Sequence, residues 1–323
     1  MPRFGRVALI GRSNVGKSTL LNTALDEPLA IVSPQPQTTR SSLLGLVNRG
    51  EDQIAFLDTP GLHHPRTELG RRMNAAAMES LRQADVALFV TDVSVLVTPP
   101  MKASRAKSQG AVPMAEDIEL LARCPPEVPI LLVLNKVDLV GNKQRLLPLL
   151  EAWQSHRTFA ALLPVSCKLP TDVERIVEAT IAVLPEGEPA YAKDELTDRP
   201  TRYFVAEYVR EQVLLLTRKE VPHAVAISVD EYHESEKLIS IAVTLHVEKD
   251  GQRRILIGRG GSGVRNIGTQ ARLRITELVK KKVHLELFVK TNPRWKSVPR
   301  QLAELGYEGA INEVTTGLPK GTQ

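Results

Sequence analysis

The first residues able to do chemistry are Gly11-Arg-Ser-Asn-Val-Gly16-Lys17-Ser18-Thr19, a GxxxxGKS spacing. They follow the apolar run Val7–Ile10 and lead into Leu20-Leu21-Asn22. That is the strand, loop and helix context a phosphate-binding loop requires. Gly11 and Gly16 let backbone amides from Asn14 and Val15 through Thr19 turn towards phosphate oxygens. Lys17 would reach the β- and γ-phosphates and Ser18 would ligate Mg²⁺. The helix opening at Lys17 adds its positive N-terminal end.

Three further patterns specify the nucleotide. Asp58-Thr-Pro-Gly61 closes an apolar run as a DxxG element. Asp58 would hold Mg²⁺ through water, and the Gly61 amide would meet the γ-phosphate. Asn135-Lys136-Val137-Asp138 is an NKxD pattern. An Asp138 carboxylate accepts two hydrogen bonds from guanine N1–H and its 2-amino group, a donor pair adenine lacks. Lys136 would pack along the base, and Asn135 would tie this loop to the phosphate loop. Ser166-Cys167-Lys168 follows the next apolar run. A backbone N–H near Cys167 would meet guanine O6, with the cysteine acting as a small residue. Gln37-Thr38-Thr39-Arg40 lies between the phosphate loop and the DxxG element. One of its threonines, Thr39 in preference to Thr38, would bind Mg²⁺ and the γ-phosphate. Leu62 stands where many GTPases place a water-orienting glutamine. Either other groups orient the water, or hydrolysis is slow and partner-dependent. Asn14 offers an oxygen for a monovalent cation, K⁺, that would stabilise transition-state charge.

A second site is expected at Gly258-Arg259-Gly260-Gly261. This GxxG precedes a helix continuing with Arg265, Arg272, Arg274 and Lys280–Lys282. Alone it is a weak signal. It lies in an α-β-β-α-α-β string from Thr201, the order of a type II KH domain, whose GxxG loop clamps a single-stranded RNA backbone. Gly258, Arg259, Gly260, Gly261, Arg265, Arg272 and Lys280 are the candidate RNA contacts. Ile255, Ile257 and Ile267 are expected to form floor and core. Trp295 would either stack on a base or pack on the domain.

The elements that position these residues alternate up to about residue 185. Strands are expected over Val7–Ile10, Leu43–Val47, Ile54–Leu57, Val86–Val90, Ile130–Leu134 and Ala161–Val165, with helical periodicity between most of them. This predicts an α/β fold, a doubly wound, mostly parallel sheet with Leu43–Leu57 as an edge hairpin. Residues 1–185 would form the GTP-binding domain, 186–200 a linker, 201–315 the small α+β KH domain and 316–323 a tail. Val95–Met114 reads as an exposed insertion.

Charge agrees with two polyanion sites. The chain of 323 residues carries +5 overall. Residues 251–300 hold 13 Lys/Arg and two acids, a local +11 that leaves the remainder near −6. Such asymmetry suits a body bearing one nucleic-acid face. Cys124 and Cys167 are distant in sequence and argue for a reducing, cytoplasmic location without disulfides. Met1-Pro2-Arg3-Phe4 runs straight into the first strand, so no signal peptide is expected. No apolar run reaches the roughly 18 residues of a membrane span, which leaves only peripheral membrane contact open.

With GRSNVGKST, QTTR, DTPGLHH, NKVD, VSCK, TDRP, IGRGG and VHLELFVKTNPRW in this order, the chain resembles the Era branch of the TrmE-Era-EngA-like GTPases, which carry a C-terminal type II KH domain. The resemblance covers nearly the whole chain. It implies a monomeric GTP-hydrolysing switch that binds the 3′ region of small-subunit rRNA and assists assembly of the 30S subunit. It also implies RNA binding favoured by GTP. The alternative is an RNA-binding module with structural or slowly turned-over GTP. Two departures from the family pattern are Ser13, where proline is usual, and the length of the Val95–Met114 insertion.

Overall fold

The computed structural model describes residues 1–36, 38–62, 65, 67–94 and 112–307. Gln37, His63, His64, Arg66, residues 95–111 of the expected insertion, residues 308–315 of the expected KH domain and the 316–323 tail lie outside the described residues. Strand β1 (Phe4–Ile10) shows why the chain forms a covered sheet. Its Val7 and Leu9 enter one core, its Ala8 and Ile10 another, and all four are fully buried. A strand apolar on both sides needs helices on both faces. Helices α1 (Lys17–Leu25) and α5 (Pro170–Val183) cover the first face. Helices α2 (Glu68–Arg82), α3 (Ala115–Leu121) and α4 (Leu146–Gln154) cover the second.

With β2 (Leu43–Arg49), β3 (Asp52–Asp58), β4 (Val86–Asp92), β5 (Ile130–Asn135) and β6 (Ala161–Pro164), the sheet order is β2-β3-β1-β4-β5-β6. Only β2 is antiparallel, paired with β3 from Leu43↔Asp58 to Arg49↔Asp52. Because the other five run parallel, the loops after β1, β3, β5 and β6 leave from one edge. The GxxxxGKS, DxxG, NKxD and SCK elements are thereby gathered around the end of β1, where an open α/β sheet binds its ligand.

The second unit contains α6 (Thr201–Leu216), β7 (Val225–Glu234), β8 (Leu238–Val247), α7 (Asp250–Ile257), α8 (Ser262–Val279) and β9 (Lys282–Thr291). Strand β8 is central, antiparallel to β7 and parallel to β9. Every second residue of β8, from Ile239 to Val247, is buried in a core shared with α6 and α8. The short helix α9 (Pro299–Glu304) follows.

Residues 186–200 are a strap more than a free linker. The amide of Leu46 on edge strand β2 donates to Leu196 O at 2.9 Å. Fully buried Gln53 donates to Tyr191 O at 2.9 Å and accepts from Ala190 N at 3.0 Å. The strap covers backbone groups that an edge strand otherwise leaves open. Its polar, proline-bearing sequence reads as a tether because those bonds use backbone atoms.

Candidate nucleotide and RNA sites

A cleft of about 500 Å³ lies at the sheet edge. Its phosphate end is lined by Asn14, Gly16, Lys17, Ser18, Thr19, Thr38, Thr39 and Gly61. Its base end is lined by Asn135, Lys136, Asp138, Ser166, Cys167 and Lys168. Gly11, Val15 and Asp58 stand behind this lining and hold it. Lys17 Nζ donates to the carbonyls of Gly11 (2.9 Å) and Arg12 (2.8 Å), which fixes the amine under the loop. The Val15 carbonyl accepts from Asn135 Nδ2 at 2.7 Å, the tie between base loop and phosphate loop expected of that asparagine.

Three oxygens converge below the phosphate loop. Ser18 Oγ donates to Asp58 Oδ2 at 2.7 Å, Thr39 Oγ1 donates to the same atom at 3.2 Å, and the two hydroxyls are 3.0 Å apart. Neighbouring ligands of an octahedral Mg²⁺ lie about 3 Å apart, given metal–oxygen distances of about 2.1 Å. Asp58 Oδ1 is buried without a hydrogen-bond partner among the described residues. An orphaned acceptor beside two hydroxyls at that spacing is a donor set that fits Mg²⁺. Thr38 lines the cleft but its hydroxyl is not part of this set. Its hydroxyl donates to Gln35 O at 2.8 Å.

At the base end Asp138 is solvent-exposed at the mouth of the cleft. Of the backbone N–H groups near Cys167 expected to meet guanine O6, that of Cys167 itself donates to Asn135 Oδ1 at 2.9 Å. Burial pushes the Cys167 thiol up to about 12, with Asp172 and Asp138 adding to the effect. The cysteine is therefore a neutral packing residue. Leu62 is buried in the apolar cluster that also holds Ala8, Ile10 and Val93, so its side chain plays no part in orienting water.

In the second unit the GxxG loop sits between α7 and α8, with Arg259 and Gly260 exposed. Arg265 and Arg272 are exposed and lie seven residues apart on one side of α8, and Lys280 is exposed just past its C-terminal end, with φ +51°. Arg274 departs from this row. It lies 4.5 Å over the Tyr208 ring, pairs with Glu211 at 3.5 Å and donates to Pro28 O at 3.0 Å. Ile255 is exposed and Leu256 takes its place in the core, because an eight-residue helix fixes its buried phase with only Gln252 and Leu256. Ile267 is core as expected. Trp295 is fully buried, donates to Ala224 O at 3.1 Å and stacks on Tyr307, which removes it as a base platform.

The family described as a 50S ribosome-binding GTPase matches residues 6–136, and the KH domain family matches residues 220–296. GTPase Era of Geotalea uraniireducens is 41% identical over 307 residues, covering 95% of this chain and 98% of that one. GTPase Era of Lactobacillus delbrueckii subsp. bulgaricus is 37% identical, covering 95% and 96%. The chain belongs to the Era GTPase family. Two solved Era structures share its fold over both units. One is Aquifex aeolicus Era bound to GDP and AlF₄⁻, with TM-score 0.85, 34% identity and coverage of 94% and 99%. The other is Era with MgGDPNP and nucleotides 1506–1542 of 16S ribosomal RNA, with TM-score 0.86, 34% identity and coverage of 95% and 99%.

Three residues of this Era-family site, Thr91, Asp92 and Asp117, carry no motif that marks them in sequence, and a fourth, Arg12, is an unspecified position of the phosphate loop. Asp92, at the end of β4, holds Lys136 Nζ at 2.6 Å, and the same amine donates to Asn14 O at 2.9 Å. Buried Asp117 and Thr91 form a cluster with half-buried Arg12 behind the phosphate loop. A threonine and an aspartate ending an apolar strand are too common to be read as functional. Only the parallel pairing of β4 between β1 and β5 brings them to the cleft.

Burial lowers the Lys17 amine to about 8, against the opposing fields of Asp58 and Asp117. Bound phosphate would restore its charge, so nucleotide binding above that pH takes up a proton. Between pH 7 and 9, GDP affinity in Mg²⁺-free buffer should fall on the alkaline side of pH 8 with a slope approaching tenfold per unit. Calorimetry at pH 8.5 in buffers of different ionisation enthalpy should report uptake of up to one proton. Flat affinity over that range would remove Lys17 as the titrating phosphate ligand.

Proposed function

We propose that this Era-family GTPase uses GTP to control its grip on the 3′ region of small-subunit rRNA and so assists assembly of the 30S subunit. The observation that carries this reading is a pair of reciprocal buried arginines between the Thr38-Thr39-Arg40 loop and the KH unit. Arg40 reaches out of the loop and donates to Val225 O (2.6 Å) and Pro222 O (3.2 Å). Arg210 of α6 reaches in, donates to Thr38 O at 2.5 Å and pairs with Glu207. The residue between them, Thr39, touches Ser18 and Asp58. A segment whose order depends on the γ-phosphate and on Mg²⁺ is thus bonded directly to the RNA-binding unit, and closing it fixes where that unit sits. The Era solved with a GTP analogue and a 16S rRNA fragment shares this whole-chain fold and supports the RNA assignment.

In this mechanism Ser18 and Thr39 would hold Mg²⁺ directly and Asp58 through water. The metal would supply charge neutralisation at the β- and γ-phosphates. Lys17 meets the γ-phosphate and the phosphate-loop amides from Asn14 to Thr19 cradle the rest. Asp138 reads guanine. With the Cys167 amide engaged, we assign O6 to the amide of Lys168, next in the cleft lining. Gly258 to Gly261 take the RNA backbone, with Arg265, Arg272 and Lys280 along its path. We infer cytoplasmic action as a monomer, and peripheral membrane contact has no part in this reading.

Turnover is expected to be slow, because Leu62 is packed in the core and orients no water. K⁺ is the proposed accelerant. Asn14 Nδ2 donates to Pro34 O at 2.9 Å, so this side chain already bridges the phosphate loop and the loop leading to Thr39. Phosphate release should be faster in K⁺ than in Na⁺, should rise again with the rRNA fragment, and should lose its K⁺ response in Asn14→Ala. Release at background under all these conditions would reduce GTP to a structural ligand.

A further inference from the structure

Asp117 is a carboxylate with no exposed surface, on the first turn of α3. Its oxygens accept from Arg12 Nε at 2.7 Å, Arg12 Nη2 at 3.3 Å and Thr91 Oγ1 at 2.7 Å. Arg12 Nη2 also contacts Met114 Sδ at 2.9 Å. A buried ion pair is a poor source of net stability, because desolvation consumes most of the attraction. Its geometry is more informative. The Arg12 guanidinium is held rigidly from behind while the Arg12–Ser13 peptide faces the cleft.

That peptide touches Lys17, assigned to both the β- and γ-phosphates, and Gly61, assigned to the γ-phosphate alone. Its carbonyl accepts from Lys17 Nζ at 2.8 Å. Gly61 lies so close that a Cβ there would stand 2.5 Å from Ser13 N and 3.0 Å from Arg12 C. The β-phosphate end is held independently, by the turn from Val15 to Ser18 and its Asn135 tie. A shift of Arg12 would therefore be felt by Lys17 and Gly61 and much less by the β-phosphate cradle.

We propose that Asp117, acting through Arg12, is a positioning residue that lets the site distinguish a triphosphate from a diphosphate. Thr91 completes the support, and its neighbour Asp92 supports Lys136 at the guanine end. The end of β4 thus braces both ends of the nucleotide from behind.

The test is Asp117→Asn in the full chain. The side chain keeps its shape and an acceptor for Thr91, and Arg12, whose side chain is 25% exposed, can turn to water. Affinity for a non-hydrolysable GTP analogue should fall roughly tenfold, and kcat by tenfold to a hundredfold, as for a misplaced catalytic array. KM should change less than kcat, and GDP affinity, read at pH 7 where the Lys17 amine stays charged, should fall clearly less than that of the GTP analogue, because Gly61 meets only the γ-phosphate. Arg12→Met alone strands a buried charge and is expected to fold poorly. The double variant Arg12→Met/Asp117→Asn removes both charges and should match Asp117→Asn in its GTP-to-GDP ratio, because the pair acts as a unit. Equal weakening of both nucleotides, or no change in either, would overturn the proposal and leave Asp117 a packing residue. Because the proposal rests on the cleft being a GTP site, the wild-type chain is the control. Its failure to bind either nucleotide would sink that reading, whereas normal wild-type binding with an unchanged ratio in Asp117→Asn would sink only the role of Asp117.

Discussion

Asp138→Asn is expected to cost the chain its preference for guanine, the largest single-residue effect on nucleotide choice in the site. Asp138 stands exposed at the mouth of the base end, so its removal should leave folding intact. In the complex its two oxygens would accept from N1–H and the 2-amino group. Asparagine offers one acceptor and one donor, so the donor meets the 2-amino group head-on. Each charge-assisted bond contributes about 1.5–3 kcal/mol, and an unpaired polar group adds its desolvation cost, so GTP affinity should fall about a hundredfold or more. Xanthosine triphosphate carries a carbonyl at that position and should gain, since the asparagine amide can donate to it. Competition against a fluorescent guanine nucleotide measures both changes. A variant that keeps GTP over the xanthine nucleotide would mean that another group reads the base.

The second large effect is expected from Gly260→Asp in the GxxG loop. Gly260 has φ +56°, and nothing within 4 Å would meet a Cβ built on it. Aspartate tolerates this left-handed region better than most residues. The variant should therefore fold while placing a negative charge where the RNA backbone would pass. Losing a charge-assisted phosphate contact and adding repulsion should weaken single-stranded RNA binding about tenfold to a hundredfold. Nucleotide affinity, some distance away in the other unit, should be unchanged. Gly258 is a poorer probe, because a Cβ there would press to 2.7 Å on Gly263 N and disturb the junction of α7 and α8. Retained RNA affinity in Gly260→Asp would mean that the backbone runs elsewhere.

The legible parts of this molecule were those in which chemistry forces a fixed spacing. Phosphate, γ-phosphate and guanine each demand particular residues at the end of a particular strand, so Lys17, Asp58 and Asp138 could be ordered around a cleft before any strand was placed. Strand and helix cores followed from apolar periodicity, with β4 and β5 beginning at Val86 and Ile130 as expected. What escaped depends on contacts between distant segments. Asp117 reads as one acid in an acidic helix start until β4 and the phosphate loop surround it. Arg274 reads as part of a basic row until α6 supplies Tyr208 and Glu211. Trp295 leaves base stacking and packing both open in the sequence until it is found buried in a cluster with Leu69 and Met73 of α2. Arg40 closes the QTTR segment and Arg210 sits on α6 beside its partner Glu207, and nothing local shows that each also finds a carbonyl on the opposite unit. The communication between sites, unlike the sites themselves, is written in tertiary pairing.

The central claim is that nucleotide state sets the grip on RNA, and it reduces to one number. That number is the ratio of affinities of the full chain for an oligonucleotide matching the 3′ end of small-subunit rRNA, with a non-hydrolysable GTP analogue and with GDP. Closure of the Thr38–Arg40 loop on the triphosphate, transmitted by Arg40 and Arg210, should make the analogue complex bind at least about fivefold tighter, within the usual range of coupling between two sites. Equal affinity in the two nucleotide states would contradict the account.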